Sequence, residues 1–385
     1  MVTGFELATA ARIVFGSGRV AELGALAREF GTRVLVVTGG SSERVAPALA
    51  SLRENGVSVT NLSVLHEPTV AVAEAGARLA READVQCVVA MGGGSVLDAG
   101  KAVAALATNL GPAMDYLEVI GRALPLERAP LPVIAVPTTA GTGAEVTRNA
   151  VLHAPEQAVK VSLRHALMLP RVALVDPVLT HGLPPALTAS TGMDALTQLI
   201  EPFVSRRANP LTDGFCREAI PRAARSLHRA FSHGGDASAR EEMALASLCG
   251  GLALANAGLG AVHGFAAPIG GMFPAPHGAV CAALLPEVME VNICVARASA
   301  SAAIMARFDE VARLLTGRPT ATADEGVVWV RELRAALEIP QLSAFGIRRE
   351  HHAAIAGKAL ASSSMKGNPV PLELAQLVAV LEAAG

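Results

Sequence analysis

The sequence predicts an α/β N-terminal domain with a parallel sheet, followed by an all-α C-terminal domain. Before residue 182, short β-branched runs alternate with helical patterns, and the runs are apolar throughout. Such runs are typical of parallel strands that are covered on both faces. After residue 182, long Ala- and Leu-rich stretches with helical periodicity follow, without a strand pattern. We therefore expect two domains, covering residues 1–182 and 183–385.

Four apolar runs in the first part predict strands, at residues 33–38, 85–91, 133–137 and 172–175. Helical patterns at residues 44–55 and 70–82 separate the first two runs, as in a strand–helix–strand unit. Ligands of open parallel sheets lie beyond the carboxyl ends of the strands, and here Gly, Ser and Thr follow those ends. In the second part we expect helices over residues 185–205, 209–233, 237–256, 279–295, 300–315, 325–336, 349–362 and 371–382.

Composition excludes several classes of protein. Hydrophobic residues make up 51% of the chain and charged residues 17%, which excludes a disordered protein. The net charge is −2 and no basic block is present, so we expect no nucleic-acid partner. The most apolar stretch, residues 244–262, contains Ser247, Asn256 and several glycines, which favours a buried helix and a glycine-rich turn over a membrane span.

The cysteines and the N-terminus bear on the cellular compartment. The five cysteines are scattered, and no two of them form a C-x-x-C pair. The N-terminus shows no charged segment followed by an apolar one, as a secretory signal would. We therefore expect buried thiols in a protein of the reducing cytoplasm, with no membrane partner.

The sequence GGGSVLDAGK, residues 92–101, directly follows the second predicted strand. Three glycines let backbone N–H groups approach a phosphate closely, and a helix that begins near Ser95 directs its positive end toward the same anion. A plain strand-to-helix turn needs fewer glycines, so the pattern favours a pyrophosphate site. It differs from the G-x-G-x-x-G fingerprint, so a standard Rossmann assignment would be wrong in detail.

Two further turns follow predicted strands. The turn PTTAGTGAE, residues 137–145, carries three threonine hydroxyls that can bond a ribose, a phosphate or a carboxamide. The turn Gly39-Gly40-Ser41 occupies the place where an acidic residue would bond the adenosine ribose and repel a 2′-phosphate. With Gly39 there and Arg44 nearby, we expect NADP to be accepted and preferred. The alternative is that Arg44 is only a solvated helix residue.

Four polar side chains lie in otherwise apolar stretches of the second part. Asp194 and Gln198 are four residues apart, so they share one face of a predicted helix. His263 and His277 each begin a helix-like stretch in apolar surroundings, where an unpaired imidazole is costly. A lone histidine of this kind is usually a core residue, but four such residues favour a divalent ion such as Fe²⁺ or Zn²⁺. We expect the remaining histidines at the surface.

Several motifs, in order along nearly the whole chain, resemble the iron-containing (group III) alcohol dehydrogenases. They are IVFGSGRVAELG near the start, MGGGSVLDAGKAVA, VPTTAGTGAEVT, LPRVALVDPVLT, TASTGMDALTQLIE and the two histidine segments. The resemblance implies the architecture shared with dehydroquinate synthase. In that architecture a dinucleotide-binding α/β domain and an α-helical metal domain flank a cleft.

The resemblance also implies roles for individual residues. It makes Asp194, His263 and His277 catalytic metal ligands, with Gln198 at the fourth ligand position. It implies that the cofactor contacts are Gly92, Gly93, Gly94, Ser95, Asp98, Thr138, Thr139, Thr142, Lys160 and Leu179. The turn of Gly39, Gly40 and Ser41 is added to these contacts on the sequence argument given above.

Two positions depart from the family pattern. The family usually has His where this chain has Gln198, and it commonly has a second His where this chain has Ala267. An amide oxygen coordinates more weakly than an imidazole, so we expect lower metal affinity or a harder ion. The change at Ala267 removes one candidate proton relay and widens the pocket.

The function expected from these features is NAD(P)-dependent interconversion of a small alcohol and its aldehyde or ketone by hydride transfer. A divalent metal, Fe²⁺ or Zn²⁺, would polarise the oxygen. One alternative is a dehydroquinate-synthase-like lyase, although no Lys/Arg cluster accompanies Asp194. Another is a metal-free or impaired family member with a binding role. The resemblance further implies a homodimer or larger homo-oligomer.

Overall fold

The computed structural model describes residues 4–157 and 159–385, and these form two compact units. The α/β unit consists of the described residues of Ala8–Thr139 and Gly143–His181. The helical unit consists of residues 4–7, Ala140–Thr142 and Gly182–Gly385.

The α/β unit is built on a six-stranded sheet in which every pair of neighbouring strands is parallel. Its strands are β1 Arg12–Phe15, β2 Arg33–Thr38, β3 Ser58–Ser63, β4 Cys87–Gly92, β5 Val133–Pro137 and β8 Val172–Val175, and their order is β1-β8-β5-β4-β2-β3. The chain runs outward from β2 to β3 and then returns to β4 on the other side of β2. The carboxyl ends of β2 and β4 therefore form a topological switch point, where ligands bind in open sheets.

Helices cover both faces of this sheet, which explains its apolar inner strands. They are α1 Leu23–Arg28, α2 Ser42–Glu54, α3 Val70–Glu82 and α4 Gly94–Thr108. Val34 and Val36 of β2 pack toward α1 and α2, whereas Leu35 and Val37 pack toward α3 and α4. Each β2 side chain from Val34 to Val37 is thus buried whichever way it points, as the continuous apolar run predicted.

A two-stranded antiparallel hairpin, β6 Asn149–Ala154 and β7 Val159–Arg164, lies beside the sheet. The buried Lys101 of α4 ties this region together. Its Nζ lies 2.9 Å from Asp98 Oδ1 and donates to the Ala144 carbonyl and to Thr147 Oγ1, both at 3.0 Å. Asp98 Oδ2 in turn accepts the Val151 N–H of the hairpin at 3.0 Å. Asp98 and Lys101 therefore anchor the hairpin to α4.

The helical unit contains nine α-helices in its described residues, and every described strand of the chain lies before residue 176. The helices are α5 Pro185–Val204, α6 Pro210–Ser232, α7 Ala237–Ala257, α8 Ala261–Met272, α9 His277–Ala298, α10 Ala302–Thr316, α11 Ala323–Ala336, α12 Arg349–Ala361 and α13 Leu374–Ala384. The prediction of an α/β part followed by an all-α part is confirmed. The helix-like stretch expected at His263 is α8, which was left out of the expected helices because Gly264, Pro268 and two further glycines obscure its periodicity.

The long apolar stretch at residues 244–262 is not one straight helix. It is divided between the end of α7, a turn at residues 258–260 and the start of α8, and the two helices are bent by 97°. The prediction of a buried helix followed by a glycine-rich turn is confirmed. By length and composition α9 could cross a membrane, but 78% of its most apolar window is buried inside the protein.

Two predictions about individual side chains were wrong. His352, expected at the surface, is only 5% exposed, because it shares the inward face of α12 with Ile355 and Ala356. Cys294, expected to be buried, is exposed, because its side chain points away from the face of α9 that packs against the core. Helical phase, which composition does not set, decides both cases.

Candidate functional site

Three helices of the helical unit bring metal-ligating side chains together. Asp194 comes from α5, His263 from the first turn of α8, and His277 and Cys281 from α9. One ligand atom from each of the four side chains lies within 4.8 Å of the others. His263 Nε2 is 3.4 Å from Asp194 Oδ1, and His277 Nε2 is 3.7 Å from the same oxygen. Asp194, His263 and His277, which were chosen from sequence, therefore converge.

The backbone at His277 has little freedom. Pro276 precedes α9, so His277 is its first residue, and Gly278 follows. A Cβ on Gly278 would clash with the Ser190 carbonyl of α5. This glycine lets the first turn of α9 approach the helix that carries Asp194 closely, which sets the spacing between the two ligands.

Two buried acceptor atoms in this cluster have no hydrogen-bond donor within the described part of the chain. They are Asp194 Oδ1 and Gln198 Oε1, and both residues are at most 3% exposed. A buried, unsatisfied carboxylate or amide oxygen costs free energy unless a donor or a cation meets it. The donor set and its orphaned oxygens therefore fit a divalent cation.

Glu201, one turn beyond Gln198 on α5, orients His263. Its Oε2 lies 2.7 Å from His263 Nδ1, and its Oε1 accepts the Val262 N–H at 2.7 Å. Because a carboxylate only accepts, Nδ1 carries a proton, which leaves Nε2 as the ring nitrogen that can bind a metal ion. This is the carboxylate–histidine pairing common behind metal-ligating histidines.

The charges of the cluster favour a cation. Burial raises the pKa of Asp194, but attraction to the imidazoles of His277 and His263 outweighs it and keeps the pKa below its usual range. Attraction to the Cys281 sulfur and then to Asp194 raises the pKa of His277 to about 9, against the effect of burial. Burial lowers the pKa of His263, yet Cys281, Asp194 and Glu201 together hold it well above its usual value. Negative charge thus dominates around the two imidazoles.

Cys281 and Glu201 are members of this cluster that the sequence reasoning missed. Cys281 lies four residues after His277, and Glu201 lies three after Gln198, so each shares a helical face with a residue already chosen. That spacing was the available signal. Ala267, where a second histidine was considered, is exposed on α8.

In the α/β unit, the glycine turn lies at the topological switch point described above. Gly92 ends β4, Gly93 is the N-cap of α4, and Gly94 and Ser95 open the helix. The N–H groups of the first helical turn have no intrahelical acceptors, which makes this end a natural anion site.

The threonine turn and the first glycine turn follow neighbouring strands. Thr138 N–H donates to the Gly92 carbonyl at 2.9 Å, and the position of a Cβ on Gly93 lies 3.5 Å from the Thr139 methyl carbon. Gly39, Gly40 and Ser41 form the turn after β2, which pairs with β4. The predicted phosphate turn is thus flanked by both other predicted turns, while Thr142 belongs to the helical unit.

Three predicted cofactor contacts have their side chains engaged elsewhere. Asp98 contacts Lys101 and the hairpin, as described above. Lys160 lies in β7, and its Nζ is 2.6 Å from Glu67 Oε1. The Leu179 side chain is buried in the core of the α/β unit. Their roles toward a cofactor stay predictions.

The space beside Gly93 allows a direct test of whether a phosphate binds at the glycine turn. A Cβ on Gly93 would make only ordinary contacts, whereas one on Gly92 would lie 2.6 Å from Val96 Cβ. We expect Gly93→Ala to fold normally but to raise KM for the dinucleotide by about tenfold, as the methyl group displaces the phosphate. Steady-state kinetics and thermal unfolding measure the two effects.

The controls for this prediction are two other alanine variants. Gly92→Ala should lose about 1–3 kcal/mol of stability through overpacking. Gly357→Ala, on α12 with open space around it, should leave the KM unchanged. An unaltered dinucleotide KM in Gly93→Ala would show that no phosphate approaches this backbone.

The family-level comparisons cover nearly the whole chain. The profile described as "Iron-containing alcohol dehydrogenase" matches residues 10–177, and that described as "Fe-containing alcohol dehydrogenase family, C-terminal" matches residues 188–385. The chain is 39% identical over 342 residues to the probable alcohol dehydrogenase EutG of Salmonella typhimurium, covering 88% of this chain and 83% of that protein. It is 37% identical over 334 residues to 1,3-propanediol dehydrogenase of Klebsiella pneumoniae, covering 84% and 83%.

Solved structures show the same similarity. A 1,3-propanediol oxidoreductase superposes with a TM-score of 0.93 at 32% identity, covering 100% of both chains. A sulfoacetaldehyde reductase from Bifidobacterium kashiwanohense, solved in complex with NAD⁺, superposes with a TM-score of 0.86 at 27% identity and covers 99% of both chains.

These matches and the fold together define a metal-containing oxidoreductase that uses a nicotinamide cofactor. The chain belongs to the iron-containing alcohol dehydrogenase family. Its reaction is the interconversion of an alcohol and its aldehyde or ketone.

Proposed function

We propose that this enzyme acts on a small primary alcohol and its aldehyde, prefers NADP over NAD, and uses a divalent ion held by Asp194, His263 and His277. The observation that carries the proposal is the convergence of these ligands from three helices around the orphaned Asp194 Oδ1. The fourth donor is either Gln198 or Cys281, each of which lies one helical turn beyond another ligand.

The roles of the side chains follow from their charges and contacts. A bound divalent ion supplies a Lewis acid for the substrate oxygen, and the nicotinamide supplies the hydride chemistry. Asp194, with its lowered pKa, stays ionised at neutral pH and balances the cation's charge. Glu201 fixes the ring of His263 through Nδ1, so that Nε2 faces the cluster. We assign proton exchange to water or ribose hydroxyls, because the cluster offers no separate general base.

The preference for NADP rests on the turn after β2. Gly39 and Gly40 bring no carboxylate that would repel a 2′-phosphate. Cβ atoms at these positions would have their nearest neighbours at 3.7 Å and 3.6 Å, so the protein's own packing does not require glycine there. The two glycines instead leave room for the 2′-phosphate on the adenosine ribose of NADP.

A reductase assay over a panel of small aldehydes, run with NADPH and with NADH, tests the proposal together with metal analysis of the purified protein. We expect turnover of short primary aldehydes and a higher kcat/KM with NADPH. A strong preference for NADH would refute the cofactor assignment. Substrate consumption without a net change in nicotinamide absorbance would indicate a lyase, and a folded protein inactive on every aldehyde would indicate a binding role.

We also propose a cytoplasmic homodimer or larger homo-oligomer. The five cysteines are free thiols, as expected in a reducing compartment. Light scattering coupled to size-exclusion chromatography measures the oligomeric state, and a monomer at micromolar concentration would refute it.

A further inference from the structure

The buried sulfur of Cys281 faces both histidines of the cluster. Its Sγ lies 3.7 Å from His277 Nε2 and 3.9 Å from His263 Nε2, and the residue is fully buried. Cys281 follows His277 by one turn of α9, so both side chains leave the same face of that helix. The sulfur is thus within hydrogen-bond distance of the Nε2 atoms of both proposed ligands.

The distances within the cluster agree with a tetrahedral site. Zinc–sulfur bonds of about 2.3 Å and zinc–nitrogen or zinc–oxygen bonds of about 2.0–2.2 Å place neighbouring ligand atoms roughly 3.3–3.6 Å apart. Four of the six ligand–ligand distances lie between 3.4 Å and 3.9 Å, and all six lie within 4.8 Å. A bound ion would therefore draw the four side chains inward.

Gln198 is less suited to the fourth position. Its amide oxygen is buried without a hydrogen-bond donor in the described part of the chain, but it is the weaker donor for a cation. The amide oxygen is neutral, whereas a thiolate is anionic and is a preferred ligand of Zn²⁺. Cys281 therefore offers a stronger, anionic donor than Gln198 for the fourth position.

We propose that Cys281 is the fourth metal ligand, as a thiolate, and that it makes this enzyme select Zn²⁺ over Fe²⁺. This inference rests on the proposed metal site. When the sulfur–metal bond forms, the S–H bond breaks and its proton passes to solvent, together with any proton that the coordinating imidazole nitrogens carry. The sequence alone predicted a weaker site or a harder ion, and Cys281 reverses that expectation.

Substitution of the full-length enzyme with Co²⁺ tests the ligand directly. A thiolate bound to cobalt gives an intense near-ultraviolet charge-transfer band, which oxygen and nitrogen ligands do not give. We expect the band in the wild-type protein and its loss in Cys281→Ser, where weaker visible bands of bound cobalt persist. Cys249→Ser is the matched control, because Cys249 is buried in the same unit but lies outside the cluster.

Affinity measurements extend the test. Cys281→Ser should weaken Zn²⁺ binding by at least about tenfold in chelator competition, since one anionic ligand is lost. The double variant Cys281→Ser with Gln198→His should recover that affinity. Under anaerobic competition, the wild-type protein should take up Zn²⁺ in excess of Fe²⁺.

The outcomes separate the two proposals. Cobalt binding to the wild-type protein without the charge-transfer band, or a band that persists in Cys281→Ser, would overturn the role of Cys281 alone. Failure of the folded wild-type protein to bind any divalent ion would overturn the metal site together with this inference.

Discussion

Replacing His263 by alanine should remove the bound metal and lower kcat/KM by about 10³-fold. The substitution deletes one ligand of the cluster and leaves the Glu201 carboxylate without its Nδ1–H partner. A Lewis acid contributes several kcal/mol to stabilising charge on the reacting oxygen, and each 1.36 kcal/mol corresponds to a factor of ten in rate. Metal analysis and steady-state aldehyde reduction measure the two losses.

His352→Ala is the matched control for this experiment. His352 is also buried in the helical unit, but it lies on α12 and belongs to no metal cluster among the described residues. We expect it to keep its metal and its turnover. His263→Asn, which retains a polar side chain, guards against loss of folding. Full turnover of His263→Ala with stoichiometric metal would rule out the proposed role of this cluster.

The stability of the protein should fall as the pH rises from about 4.5 to about 7, because of Glu145. Burial raises the pKa of this carboxyl group to about 7 from 4.5, although its own backbone N–H and Lys101 oppose the change. The folded protein therefore binds the proton more tightly than the unfolded chain. Stability from this group is complete below the unfolded pKa and is lost as the pH passes the folded value.

Glu145→Gln isolates that contribution, because glutamine stays neutral at every pH. The free energy of unfolding of the wild-type protein, relative to the variant, should decrease by about 3 kcal/mol between pH 4 and pH 8. Chemical denaturation at several pH values measures the difference. Glu156→Gln, exposed in the same unit, should show no such trend. A difference that is flat with pH would contradict a buried carboxyl group of raised pKa.

The sequence predicted the strands that carry a continuous apolar run. The inner strands β2, β5 and β8 are buried on both faces, so their apolar runs had the correct bounds. β3, with the sequence SVTNLS, is an edge strand whose residues are partly or fully exposed, and it carries no comparable run. β1, RIVF, is the opposite edge, and its apolar run is only three residues long. Edge strands are fixed by their neighbours, which a local pattern does not show.

The sequence predicted only part of the metal-binding cluster. Asp194, His263 and His277 stood out because polar groups are rare in apolar helices. Glu201 met the same criterion but was not chosen, and Cys281 was taken for one of several small core residues. Each lies at helical spacing from a chosen residue. In a sequence, a cysteine that can bind a metal looks the same as a cysteine that only packs in the core. The two are told apart once the neighbouring side chains are known.

The placement of the ligands on α5, α8 and α9 has a consequence for folding. Asp194 and His263 are distant in sequence, so an ion bound to both acts as a removable cross-link across a long loop. Chelation should therefore loosen the packing of these three helices while the parallel sheet keeps its own core. The apoprotein would then melt in two steps, and the earlier step would shift upward with each increment of added ion.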